Sequence, residues 1–181
     1  MDFLGKTKGF LIDPLRTLEA SKEDSLDDTV RYYLITVVIF SALFTFRSII
    51  AGDENEGAIT IFARTWVFGV IGIFILGLFI HIFVYLVGGR NGNAQTIKAV
   101  MYAATPGLLL GWIPYINIIA VIWSLVLVVH GIHKFHEITV GRAIIAVLVP
   151  VIILLALAAI IVYIVIETLA DFIINIASRT H

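Results

Sequence analysis

Charged residues divide this chain into long uncharged intervals, and those intervals leave few folds open. Arg31 to Arg47 encloses 15 residues without Asp, Glu, Lys or Arg, and five more follow before Asp53. Arg64 to Arg90 encloses 25, Lys98 to Lys134 encloses 35, and Arg142 to Glu167 encloses 24. A helix crossing bilayer hydrocarbon needs ~20 mainly apolar residues, with ~17 as a working minimum. Three intervals therefore predict one spanning helix each, at about 32–50, 65–88 and 143–167. The 35-residue interval is too long for one ordinary helix and holds its own breakers: Pro106 with Gly107, Gly111 and Pro114. It predicts two helices, about 97–112 and 115–134, joined by a tight turn at Gly111, Trp112, Ile113 and Pro114.

The expected fold is all-α, an integral membrane bundle of five transmembrane helices with an N-terminal amphipathic helix. Residues 1–31 form the amphipathic segment, 32–168 the bundle and 169–181 a short amphipathic tail. The alternative is a β-barrel, whose strands alternate apolar and polar residues. Residues 147–162 are apolar on every face instead, as suits a lipid-embedded helix. Composition agrees: 60% of residues are hydrophobic and 14% charged, too few to cover a water-soluble globule, where about a quarter is usual. The absence of cysteine excludes a disulfide scaffold, and a formal charge of −1 argues against a nucleic-acid partner.

Lysine and arginine placement predicts orientation. With the N-terminus cytoplasmic, that side collects nine: Lys6, Lys8, Arg16, Lys22, Arg31, Arg90, Lys98, Lys134 and Arg142. The other side receives Arg64 and Arg179, with Arg47 snorkelling from a helix end, and the acidic loop Asp53, Glu54, Asn55 and Glu56. The C-terminus is expected outside, in the plasma membrane of a prokaryote. The first apolar run begins after about 31 residues, so no cleavable signal is expected and the first span acts as an uncleaved anchor.

Within the N-terminal segment, Leu11, Leu15 and Leu18 fall at i, i+4 and i+7, with Pro14 suited to a first helical turn. Two placements remain open: a helix lying in the leaflet surface, or one packed beneath the bundle. Ser25 with Asp28 marks a helix start. Lys22, Glu23, Asp24, Asp27 and Asp28 read as a solvated or partner-facing strip. At the other end, Glu167, Asp171, Asn175 and Arg179 recur every four residues, opposite Phe172, Ile173 and Ile176. This is a solvated helix face, with a hard-cation site as its alternative.

Catalytic signatures are absent: no phosphate loop, HExxH, GxSxG or cysteine nucleophile. Neither an enzyme nor a cofactor is expected. Gly88, Gly89, Arg90, Asn91, Gly92 and Asn93 read as a flexible turn. His130 and His133 lie on neighbouring helix faces, with His136 rotated by ~240° from His130, and His81 near the same end of its own helix. A metal site is one reading; hydrogen-bonded interfacial histidines near a helix C-terminus are the other and the expected one. No Asp or Glu sits at mid-membrane, where a transporter's coupling site would place one, and only the Pro106–Gly107 break interrupts a span. Gly107 and Gly111 have the GxxxG spacing of close helix approach, read here as packing within the chain. Two short helices in this interval would form a wedge that favours curved membrane.

The chain resembles the Yip-domain family, the Ypt/Rab-interacting membrane proteins and their prokaryotic relatives. The resemblance begins at Phe10 to Pro14 and continues through Gly88, Gly89, Gly92, Gln95 and Thr96 into Tyr102 and Pro106. Trp112, Pro114, Trp123, Gly131, His136, Glu137, Arg142 and Ala143 follow in order, so it covers about residues 10–165. It implies five spans, a cytoplasmic N-terminus, and association with vesicle trafficking, Rab-type GTPases and membrane shaping. The pre-membrane segment lacks the long tyrosine-containing region of eukaryotic members, which is similar to the compact prokaryotic branch. The expected role is a non-catalytic membrane-organising or trafficking scaffold, self-associating or bound to a cytoplasmic protein, GTPase-like by resemblance alone. The alternative is a small oligomeric transporter or channel using His81, His130 and the Pro106 break.

Overall fold

The computed structural model describes residues 3–52 and 56–179, so most of the expected outer loop (Asp53, Glu54, Asn55) and the side chains of Ile173, Asn175 and Arg179 lie outside it. All regular structure among the described residues is helical. The chain forms two compact units, Met1–Val147 and Leu148–His181. The first contains α1 (Phe3–Ile12), α2 (Pro14–Ala20), α3 (Leu26–Ile50), α4 (Ala58–Leu86), α5 (Asn93–Ala103), α6 (Thr105–Leu110) and α7 (Ile116–His136). The last helix, α8 (Val140–Arg179), begins in the first unit, supplies the second, and contains Pro150.

Helix ends follow local chemistry. Pro14 opens α2, where its missing N–H costs nothing. Ser25 caps α3 by accepting from the Asp28 N–H at 3.0 Å, and its hydroxyl donates to the Asp28 carboxylate at 2.7 Å. That cap sets the helix start six residues before the apolar interval begins. Arg47 falls in the last turn of α3, as its spacing required.

Four helices are long and apolar enough to cross a bilayer: Leu26–Ile50, Ala58–Leu86, Ile116–His136 and Val140–Phe172. The protein is thus a multi-pass membrane protein. The expected third span, 97–112, takes another form. It is split into α5, 11 residues, and α6, 6 residues, with a break at Ala104. The cause is Pro106, which has no N–H to give the Tyr102 carbonyl. The break also frees the Gly107 N–H, which bonds Ser124 Oγ on α7 at 2.9 Å. A Cβ at Gly107 would lie 2.9 Å from that same oxygen. Gly107 therefore serves close packing of α6 on α7 within the chain. Beyond Gly111, the turn through Trp112, Ile113 and Pro114 closes with Tyr115 at φ 67, a left-handed conformation unusual for a bulky residue.

α3 is patterned for lipid rather than water. Its buried residues are largely hydroxyl-bearing: Thr29, Tyr32, Tyr33, Thr36, Ser41, Thr45 and Ser48, with Val37. Ile35, Val38, Phe46 and Ile49 are exposed. Thr36, Ser41 and Thr45 satisfy their hydroxyls on the carbonyls four residues back, at 2.9, 2.8 and 2.7 Å. Small hydroxyl residues can then line the helix interface while branched apolar ones face outward. Tyr33 donates to the Gly69 carbonyl of α4 at 2.8 Å, where a Cβ would meet Val37.

α5 is the hub. Eight consecutive residues, Thr96 to Ala103, are buried on all faces. α3, α4 and α7 pack around it, and α2 closes one end. The N-terminal segment is packed beneath the bundle, with Phe10 and Leu18 fully buried. The Leu11–Leu15–Leu18 stripe does not survive as a unit, because Asp13 and Pro14 split it between two helices and leave Leu15 44% exposed. At Gly131 of α7 a Cβ would lie 3.0 Å from Ala99 Cβ and 3.3 Å from Leu18 Cδ2. Gly131→Val is therefore expected to cost about 1–3 kcal/mol by overpacking, read from thermal unfolding in detergent. Gly72→Ala, with nothing within 4 Å of the new methyl, is the control that should not destabilise.

Candidate functional site

Polar side chains gather where the N-terminal segment, the α4–α5 turn and the α7–α8 turn meet one end of α5. The first cluster is a clamp. Lys6 of α1, only 6% exposed, donates to the Asp24 carboxylate and, at 3.0 Å, to the Tyr102 hydroxyl. Tyr102 in turn donates to Asp24 at 2.5 Å, and Thr29 Oγ1 lies 3.2 Å from the same hydroxyl. Aromatic rings enclose the ammonium: Nζ lies 4.8 Å from the Tyr102 centroid and 6.0 Å from that of Tyr32. Phe10 stacks on Tyr102 at 5.4 Å, and Phe3 packs on Tyr32 at 5.3 Å. One turn earlier on α5, buried Lys98 donates to the carbonyls of Lys22 and Asp24 at 2.7 and 2.8 Å. Two lysines thus fasten the α2–α3 loop to the hub.

The second cluster is a chain of three groups across α4, α5 and α7. His81 Nδ1 lies 2.8 Å from Thr96 Oγ1, which lies 2.8 Å from His136 Nε2. One hydroxyl hydrogen serves two imidazoles, so Thr96 donates to one ring and accepts from the other. His136 is 4% exposed, and its Nδ1 has no hydrogen-bond partner. Gly89 makes room for this ring: a Cβ there would lie 3.1 Å from His136 Nδ1 and 2.5 Å from Val84 Cγ1. The turn is pinned rather than flexible. Arg90 donates to the Tyr85 carbonyl at 2.7 Å and covers its ring at 3.9 Å, while Asn91 donates to the Phe135 carbonyl at 2.8 Å. Gly88 and Gly92 supply its positive φ values, 102 and 85.

Charged pairs close the outer rim. Glu19 accepts from Lys134 at 2.9 Å and from His130 at 3.1 Å, and Lys22 donates to Glu137 at 2.7 Å. The Lys134 hydrogen bond, then that of His130, holds the Glu19 carboxyl below its usual value. For Asp24, burial alone would raise the carboxyl, but the hydrogen bonds from Lys6 and Tyr102 outweigh it and lower it. A lowered folded pKa contributes stability that is complete above the unfolded value, ~3.9 for aspartate, and is lost as pH falls through the folded one. The melting temperature in detergent should therefore fall as pH drops below ~4, and Asp24→Asn should flatten that fall.

The fold regroups the expected site residues. His81 and His136 come together through Thr96, with ring centroids 6.0 Å apart. His130 pairs with Glu19, and His133 Nδ1 donates to the Ile138 carbonyl at 2.5 Å. Among the described residues, no three His, Cys, Asp or Glu side chains are grouped to hold a metal ion. Pro14 bounds α2, Pro106, Gly107, Gly111 and Pro114 shape α6 and its turn, and Trp123 is partly buried on α7. Arg142 is exposed at the start of α8, with Nη1 3.5 Å from a Cβ position at Gly88. Lys6, Asp24, Thr96 and Lys98 were not singled out by sequence reasoning for this site. Asp24 in particular leaves the expected solvated strip and turns inward, while Asp27 and Asp28 stay exposed. Thr96 was marked only by the resemblance and, with Lys98, by its place just before an apolar run, and Lys6 carried no linear signal beyond its charge.

A family model described as the Yip1 domain matches residues 8–161, well over half of the chain. No curated protein and no solved structure matches it.

Proposed function

This chain belongs to the Yip1 domain family, and from that premise we propose that it is a non-catalytic membrane-organising scaffold that favours curved bilayers. The observation that carries the reading is the short, broken α5–α6 pair at the centre of long apolar helices. At 1.5 Å per residue, 11 and 6 residues rise ~16 and ~9 Å, each well short of a ~30 Å hydrocarbon core. In this proposal the pair is the fifth traverse, the N-terminus is cytoplasmic, and the bilayer thins beside α6, whose residues 107–110 are partly exposed, since α5 is enclosed by its neighbours. The packed α1–α2 segment adds bulk at the proposed cytoplasmic end of the first unit, which on this reading spreads that leaflet. The same end offers the proposed surface for a cytoplasmic protein partner or a second copy.

Reconstitution into a mixture of small and large vesicles tests the reading. Protein density per unit membrane area should be higher in the small vesicles; an even density would sink it. A transporter reading gains no support, because His81 and His130 belong to different clusters.

A further inference from the structure

A cleft of about 320 Å³ opens beside the clamp, lined by Phe3, Lys6, Asp24, Asp28, Arg31, Tyr32 and Ile35. Its charges balance, two cations against two carboxylates. Lys6 and Asp24 satisfy each other at depth. The rim groups are available: Arg31 holds only a solvent-exposed pair with Asp27 at 2.8 Å, a contact of small worth. The Asp28 carboxylate accepts from the neighbouring Ser25 hydroxyl, its backbone N–H donates back to that oxygen, and the carboxylate keeps free lone pairs.

The level of this cleft along α3 matters as much as its charge. Arg31 is the last charged residue before the 15-residue uncharged interval, so it stands at the membrane interface. Below it, Ile35, Val38, Ala42, Phe46 and Ile49 are all exposed at spacings of three or four, one continuous apolar stripe. A ligand matching both parts carries an anion and a cation a few atoms apart, joined to a long hydrocarbon chain.

We propose that this cleft seats the headgroup of a zwitterionic ethanolamine phospholipid. The phosphate rests on Arg31, the ammonium on Asp28, and an acyl chain follows the α3 stripe. A primary ammonium donates the hydrogen bonds that the Asp28 carboxylate accepts, whereas a trimethylated choline has none to give. The stripe selects a lipid over a free aminoalkyl phosphate of the same headgroup chemistry. The site depends on the membrane placement of α3 and not on the curvature role, so lipid binding and vesicle sorting fail independently.

The test is native mass spectrometry of the delipidated full chain in detergent with equal amounts of phosphatidylethanolamine, phosphatidylcholine and phosphatidylglycerol. Phosphatidylethanolamine should be retained preferentially, and Arg31→Gln and Asp28→Asn should each weaken retention on the order of tenfold, as loss of a charged hydrogen bond implies. Both residues are exposed, and unchanged helical circular dichroism would show that the variants fold. Soluble phosphoethanolamine at equal concentration should not displace the lipid. Equal retention of the three lipids, or retention indifferent to both substitutions, would overturn the proposal. Binding of phosphoethanolamine without the lipid would overturn it in favour of the free headgroup.

Discussion

Asp24→Ala is expected to destabilise the protein by about 3 kcal/mol, because it leaves the Lys6 ammonium buried without its carboxylate. The side chain of Lys6 is 8% exposed and that of Asp24 26%, so the cost sits at the lower end of the range for broken buried pairs. The Tyr102 hydroxyl and the Tyr32 and Tyr102 rings remain beside the ammonium, but neutral groups cannot replace a paired charge. Lys6→Met should cost less, since Asp24 keeps the Tyr102 hydrogen bond and some access to water. The double variant Lys6→Met/Asp24→Leu should recover much of the loss, as apolar replacements of buried pairs often do. Thermal unfolding of the parent, Lys6→Met, Asp24→Leu and the double variant gives the coupling. Limited proteolysis at Lys8 and Arg16 supplies a local reading: both side chains are exposed, and release of α1 and α2 should unwind the helices that shield their peptide bonds. An Asp24→Ala protein as stable and as protease-resistant as the parent would show that the clamp does not hold the segment.

The second large effect is expected at Thr96. Thr96→Val keeps the shape and removes the hydroxyl, leaving His81 Nδ1 and His136 Nε2 without partners. An unsatisfied buried polar group costs about 1–3 kcal/mol, so two should cost about 2–4 kcal/mol, less where His81 reaches water. Thr96→Ser preserves the bridge and loses one buried methyl, a cost of about 1 kcal/mol. Unfolding measurements should therefore rank parent, serine and valine in that order, with the larger step at valine. Equal stability of the serine and valine forms would mean that the hydroxyl bridge contributes nothing.

Much of the helix plan was legible because hydrocarbon tolerates few charges, and charge positions can be counted along a line. The intervals around Ile35, Phe74, Ile122 and Leu154 each lie in a helix long enough to cross. The helix start at Ser25 and the break at Pro106 were legible too, because capping and the missing proline N–H act within one turn, whereas the split at Pro14 was not, since the leucine stripe read as one helix. The interval 97–112 forms two helices rather than one for the same local reason: its residues suffice in number, but Pro106 divides them. Lys98 marked a boundary by its charge, and nothing in the linear pattern distinguished a solvated lysine from one buried on two carbonyls. The histidines show the other gap. Spacing along one helix favoured His130 with His133, yet the partner of His136 came from α4 and its bridge from α5.

The sequence by itself determined that helices long and apolar enough to cross a membrane make up most of this chain, where several of them begin or break, and that its charges lie towards the helix ends. Those properties depend on one residue and its near neighbours against a uniform solvent. Tertiary structure decided that α5 is the hub, that α1 and α2 pack beneath the bundle, and which polar groups meet there. Lys6 and Tyr102 are 96 residues apart, and Asp24 and Tyr102 are 78 apart. Such pairs exist only once helices are packed, because a buried donor is satisfied by whichever acceptor the fold brings within about 3 Å.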